Sequence, residues 1–199
     1  MSHYFINDKN LEENRREISF RFFDLSFSLT TDDGVFSKDG LDYGSCLLLE
    51  NVCRSDIAGE VLDLGCGYGP IGIVVKKIFS DTKVTMVDVN ERAVELSRLN
   101  VSNCEMDNEV IVSDSFEMLE NRCFNHIVLN PPIRAGKQII YSMFEQSSVH
   151  LYANGVLWVV IRKNHGAKSA IAKMEAVFGN CEVIDKEKGF YVLKSLKLH

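Results

Sequence analysis

The sequence predicts an α/β fold: a doubly wound, mostly parallel seven-stranded sheet that ends in an antiparallel hairpin, with a small N-terminal β-hairpin ahead of it. Three observations predict it. Short apolar runs near 60–64, 83–88, 109–113, 126–130 and 155–161 alternate with helical patterns, as parallel strands joined by right-handed crossovers do. A glycine-rich turn follows directly on the first of these runs, where such sheets hold ligands. The tail breaks the alternation, because 181–185 and 190–193 are joined only by Lys186-Glu-Lys-Gly189. That link is too short for a crossover helix, so the two runs must pair antiparallel.

The elements follow in order. Residues 1–17 are polar and charged, an arm or a short helix. Segments 18–23 and 25–29 alternate apolar with polar side chains and read as paired strands. A helix over 43–53 opens the main unit. The strand at 60–64 leads through the glycine turn into an amphipathic helix over 71–79, and another helix is expected over 167–178. The chain divides into an extension, 1–40, and a main domain, 41–199.

At 199 residues the chain suits one α/β domain with a sizeable core. Hydrophobic content of 46% and charged content of 25% are ordinary for a globular protein. No apolar run approaches the roughly 18 residues of a membrane helix, and Met1-Ser-His-Tyr does not begin a secretory signal. The six cysteines include no C-x-x-C pair and read as reduced thiols of a cytoplasmic protein. Five scattered histidines give a metal site no support. The net charge of −6 argues against a surface coated by nucleic acid, yet leaves room for a local basic face. Candidates for that face are Arg15, Arg16 and Arg21, then Lys38, Arg134 and Lys137, and finally Arg162, Lys163 and Lys168.

Two motifs carry chemistry. In Asp63-Leu-Gly65-Cys66-Gly67-Tyr68-Gly69-Pro70 the glycines permit positive φ and close approach of a ligand to the backbone. The helix beyond offers unpaired N–H groups. Asp88 ends the next strand roughly 20 residues on, where a carboxylate meets a ribose diol. The dinucleotide pattern G-x-G-x-x-G fails, since Pro70 takes its third glycine position. An acid at Asp63 disfavours a pyrophosphate and favours a cationic ligand, S-adenosylmethionine over NAD. In the second motif, Asn130-Pro131-Pro132-Ile133-Arg134-Ala-Gly-Lys137, an amide side chain is followed by two prolines that fix φ and lack N–H groups. The result is a stiff cluster of acceptors suited to the N–H groups of a planar amine.

Together with Gly34-Val-Phe36-Ser-Lys38-Asp39-Gly40-Leu-Asp42-Tyr-Gly44-Ser45 upstream, these motifs resemble class I S-adenosylmethionine-dependent methyltransferases. The likeness covers nearly the whole chain. It is strongest to the RsmC-like small-domain family of 16S ribosomal RNA guanine methyltransferases. The resemblance implies that the backbone of Gly65, Cys66 and Gly67 meets the methionine portion of the cofactor, with Asp63 near its ammonium. It gives the ribose to Asp88, the adenine face to Val89, and the adenine amine to Asp114 with Ser115. Asn130, Pro131 and Pro132 form the catalytic notch, in which Asn130 Oδ1 and the Pro131 carbonyl hold the target amine. Phe36, Ile133, Arg134 and Lys137 fall on the substrate side.

The implied partner is ribosomal RNA or the small ribosomal subunit, with no membrane and no metal, and the protein as monomer or homodimer. One position departs from the wider pattern. Relatives that modify adenine or glutamine carry an aromatic after Pro-Pro, whereas this chain has Ile133, which shifts the expected target toward guanine. Phe36 or Tyr68 would supply the missing ring. Two alternatives stay open: methylation of a protein glutamine amide or a small-molecule amine, and a non-catalytic nucleoside-binding ribosome-assembly factor.

Overall fold

A computed structural model of the chain describes residues 14–33, 35 and 40–198; Phe36 and Lys38 lie outside the described residues. Strands β1 (Arg16–Phe22) and β2 (Leu25–Thr31) pair antiparallel, as their alternation requires. Phe22, Phe27 and Leu29 are buried in the same apolar cluster as residues of the main sheet. The remaining strands are β3 (Glu60–Leu64), β4 (Lys83–Asp88), β5 (Glu109–Val112), β6 (Phe124–Leu129), β7 (Leu151–Arg162), β8 (Glu182–Glu187) and β9 (Phe190–Leu196). They form one sheet in the order β5-β4-β3-β6-β7-β9-β8. Pairing is parallel from β5 to β7 and antiparallel on both sides of β9.

Helices cover both faces. α1 (Tyr43–Cys53), α2 (Pro70–Ile78) and α3 (Glu91–Asn103) contribute Leu47, Ile73 and Val94 to one cluster. α4 (Lys137–Val149) and α5 (Ala167–Phe178) contribute Phe144 and Met174 to the other. The strands between are apolar on both sides, as a sheet covered twice must be: on β6, Val128 faces the first cluster while Ile127 and Leu129 face the second.

The structure differs from expectation in two connections. The segment between β5 and β6 folds as turns rather than a helix. Ser115 and Asn121 take φ of 51° and 62°, which interrupts any helical run, and Phe116 and Leu119 anchor the turns in the core. Strand β7 starts at Leu151, before the expected 155, because Asn154-Gly155 forms a bulge opposite 124–126 instead of a turn.

Strand order reverses between β3 and β6, since β4 and β5 lie to one side of β3 and β7 to the other. In open parallel sheets the crevice beyond the carboxyl ends of the strands at such a reversal is where ligands bind.

Candidate active site

Three backbone turns leave the sheet at that crevice. Gly65, Gly67 and Gly69 take φ of 77°, 59° and 95°, a region that L side chains rarely enter. A Cβ at Gly65 or Gly67 would meet nothing within 4 Å, so the backbone there faces open space. At Gly69 a Cβ would collide with Ser97 Oγ and Met86 Cε, so that glycine serves close packing instead. The turn is held from beneath: the N–H groups of Gly65 and Cys66 both donate to the Val87 carbonyl at 2.9 Å. Pro70 begins α2 at a position where its missing N–H costs nothing, and no side chain caps the helix.

Two buried acids brace the turn. Asp88 Oδ2 accepts from the Gly67 N–H and Oδ1 from the Asn90 N–H, each at 2.9 Å. Asp63 Oδ2 accepts from the Gly72 N–H at 2.8 Å and ties β3 to the first turn of α2. Burial pushes the Asp63 carboxyl up to about 7; the Gly72 N–H opposes that shift and the neighbouring Asp88 adds to it. The Cys66 side chain points inward beside Ser97, and burial holds its thiol well above the usual range. The Cys66 sulfur is therefore turned away from the crevice, and its N–H and carbonyl are engaged by Val87 and Gly69 within the turn.

The acceptor side begins one residue past β6. Asn130 is half-buried, and its Nδ2 donates to Ser45 Oγ at 3.0 Å. Ser45 Oγ in turn donates to Asp42 Oδ2 at 2.6 Å. Asp42 is itself fixed as the N-cap of α1, its Oδ1 accepting from the Gly44 and Ser45 N–H groups. This chain of contacts spends the amide nitrogen on the protein and leaves Oδ1 as the acceptor for a ligand. Pro131 is buried and stiffens the exit of the strand.

Register brings the two sides together. Leu64 pairs with Leu129, so Gly65 and Asn130 leave adjacent hydrogen-bonded strands at the same rim. Leu64 also pairs with Val87, and Asp88 with Val112, which places Asp88, Val89 and Ser113 along that rim. Val89 is half-buried, Asp114 is exposed, and Ser115 Oγ donates to Asp114 Oδ1 at 3.4 Å. Ile133 and Arg134 lie in a 3-10 turn, Ile133–Ala135; Ile133 packs on the core while Arg134 and Lys137 are exposed.

One expectation is corrected. Tyr68 is 1% exposed and its hydroxyl donates to the Gly40 carbonyl, so its ring belongs to the core and offers no face to a target base. Sequence reading also assigned no role to Asp42 and Ser45. Their local signal was present as an Asp-x-x-Ser helix start, but their reach to Asn130 spans 85 residues and no periodicity reports it.

Residues 26–194 match the methyltransferase small domain, and the chain belongs to that family. YbxB of Bacillus subtilis (strain 168) is 43% identical over 198 residues, covering 98% of both chains. Ribosomal RNA large subunit methyltransferase G of Psychromonas ingrahamii is 28% identical over 96% of this chain and 51% of its own length. The T. thermophilus 16S rRNA N2 G1207 methyltransferase RsmC, solved with AdoMet and guanosine, superposes with a TM-score of 0.84 at 25% identity. That match covers 92% of this chain and 50% of RsmC. The chain thus spans about half the length of these two RNA methyltransferases.

Proposed function

We propose that this methyltransferase moves a methyl group from S-adenosylmethionine to the exocyclic amine of a guanine, in small-subunit ribosomal RNA. The observation that carries the reading is the oriented amide of Asn130, fixed through Ser45 and Asp42 on the strand next to the glycine turn. The residues fit the cofactor. In this reading the open backbone at Gly65 and Gly67 takes the methionine portion, and Asp88 and Val89 on the same rim take the ribose and the adenine. In the same reading Asp63 lies toward the ammonium, and Asp114 with Ser115 toward the adenine amine.

When bound, S-adenosylmethionine supplies an electrophilic methyl on a sulfonium. The chain's own residues do the rest. An exocyclic base amine is a weak nucleophile because its lone pair is delocalised into the ring. Asn130 Oδ1 and the Pro131 carbonyl accept its two N–H bonds, favour a pyramidal nitrogen, and stabilise the positive charge that develops there. Holding that nitrogen about 3–3.5 Å from the methyl carbon, in line with the breaking bond, supplies the remaining advantage. The amine loses its proton after attack, so no histidine or carboxylate base is required at the notch. The base must leave its stack to enter, and Ile133 gives it an aliphatic contact where an aromatic would stack.

The small-subunit guanine assignment is supported by the likeness to RsmC and by Ile133; the large-subunit relative is the competing guide. The test is transfer of labelled methyl groups to ribosomal subunits from a strain lacking the protein, followed by nucleoside analysis. Label in N2-methylguanosine of the small subunit is expected. Label in another nucleoside, in the large subunit, or in protein would overturn that assignment.

A further inference from the structure

Along the rim beyond β6, β7 and β9 stand five exposed cations: Arg134, Lys137, Arg162, Lys163 and Lys168. Several cations elsewhere meet acids, while others, such as Arg98 and Lys197, donate to backbone carbonyls. Lys76 pairs with Asp107 at 3.0 Å, Lys83 with Glu60 at 3.1 Å, Arg122 with Glu109 at 2.8 Å, and Arg92 with Asp32 at 3.1 Å. Among the described residues none of the five rim cations meets a carboxylate. In a chain of net charge −6, these five cations concentrate positive charge on one edge, while Glu187 at the neighbouring turn is met by Lys188.

The rim is continuous and built. A Cβ at Gly166 would lie 3.7 Å from Lys137 Cε, so the start of α5 abuts the Lys137 stem. The Lys163 N–H donates to the Gly189 carbonyl at 2.8 Å, which ties the corner after β7 to the turn before β9. Arg162 lies over the Phe190 ring at 4.5 Å, and Phe190 meets Tyr43 at 5.7 Å, next to the Asp42–Ser45 cap that fixes Asn130. Both α4 and α5 begin at this rim with a glycine at the N-cap and no side-chain cap, so their first N–H groups add to the positive field.

We propose that this rim grips the sugar–phosphate backbone of the RNA strand whose guanine enters the notch at Asn130, a proposal that rests on the reading above. Phosphates occupy the positions that carboxylates fill elsewhere on the protein. Each phosphate neutralised releases condensed counterions, so binding must weaken with salt in proportion to the number of contacts.

The test is filter binding of protein-free 16S ribosomal RNA across a KCl series, with wild type, an Arg162→Gln/Lys163→Gln/Lys168→Gln variant, and an Arg54→Gln/Lys83→Gln/Lys173→Gln control of equal charge change. The control cations each pair with an acid in the structure. The rim variant is expected to bind at least about tenfold more weakly at moderate salt, with a log–log slope shallower by about 2, at 0.7–0.9 per phosphate contact. The control should match wild type, and S-adenosylhomocysteine should stabilise all three equally, which verifies folding. An unchanged slope in the rim variant, an equal loss in the control, or no RNA binding by wild type would overturn the proposal. Methylation of guanine with an unchanged slope sinks the rim alone. The predicted slope change with no methylguanosine formed sinks the target assignment and leaves the rim standing.

Discussion

Asn130 concentrates the chemistry of the proposed reaction in one oxygen. Replacement by Ala should lower kcat by about 10² to 10³, the cost of deleting one preorganised acceptor or donor at a reacting centre. Calorimetric binding of S-adenosylhomocysteine should stay near wild type, because the Asn130 amide is held by Ser45 while the glycine turn is held by Val87 and Asp88. Ser45→Ala should act through Asn130. Its amide nitrogen loses the 3.0 Å contact to Ser45 Oγ, and the side chain becomes free to rotate. A smaller fall in kcat than for Asn130→Ala is expected, again with unchanged cofactor affinity; full activity would show that the backbone alone orients the amide. Asp63 gives a pH prediction. Its folded carboxyl titrates at about 7, against an ordinary value of 3.8. The folded protein therefore binds a proton that the unfolded chain releases. Its contribution favours folding below about pH 4 and declines as pH rises through 7, then levels off. Asp63→Asn keeps an acceptor for the Gly72 N–H and should flatten the pH dependence of thermal unfolding across that window. A persistent slope in the variant would assign the effect to another group.

At the level of elements, the buried amide of Asn100 ties the hairpin β1–β2 to α3, beside the Arg92–Asp32 ion pair. Asn100 Oδ1 accepts from the Thr30 N–H at 2.7 Å, and its Nδ2 donates to the carbonyls of Thr30 and Tyr68 at 2.8 Å each. Asn100 is fully buried. Asn100→Ala removes three buried hydrogen bonds and should cost about 3 kcal/mol, read from the urea midpoint at constant m value. The elements themselves were legible where the physics is local. Helix α1 over 43–53 and strand β3 over 60–64 stand where the periodicity placed them, because cap, pattern and turn residues agreed there. The segment after β5 departs from the expected helical pattern because two residues of positive φ redirect the chain, and Phe116 and Leu119 anchor its turns in the core. No spacing rule sees a left-handed Ser. Likewise Tyr68 sits inside the glycine motif, and only tertiary packing shows that its ring turns away from the crevice.

For the whole molecule, the arrangement predicts a ligand-specific stabilisation. Saturation with S-adenosylhomocysteine at about 100 times its dissociation constant should add about 2.7 kcal/mol. In a domain of this size that raises Tm by about 5–10 °C. NADH should leave Tm unchanged, since Pro70 removes the third glycine of the dinucleotide pattern. A shift with NADH alone would point to a different chemistry at the same turn. Fold class, and the turns that mark the candidate site, could be read from the chain because the strand ends, the glycines and the Asn-Pro-Pro run are contiguous stretches. The brace from Asp42 through Ser45 could not, since it joins residues that meet only when the sheet has assembled.

The seam between β3 and β6 has a mechanical consequence. In the proposed enzyme, donor and recipient are anchored to neighbouring ribbons about 4.8 Å apart, locked by their own ladder of amide contacts. The spacing of those anchors belongs to the scaffold and is set before any guest arrives. In such a machine the slow events would be the entry of the everted nucleotide and the departure of the products.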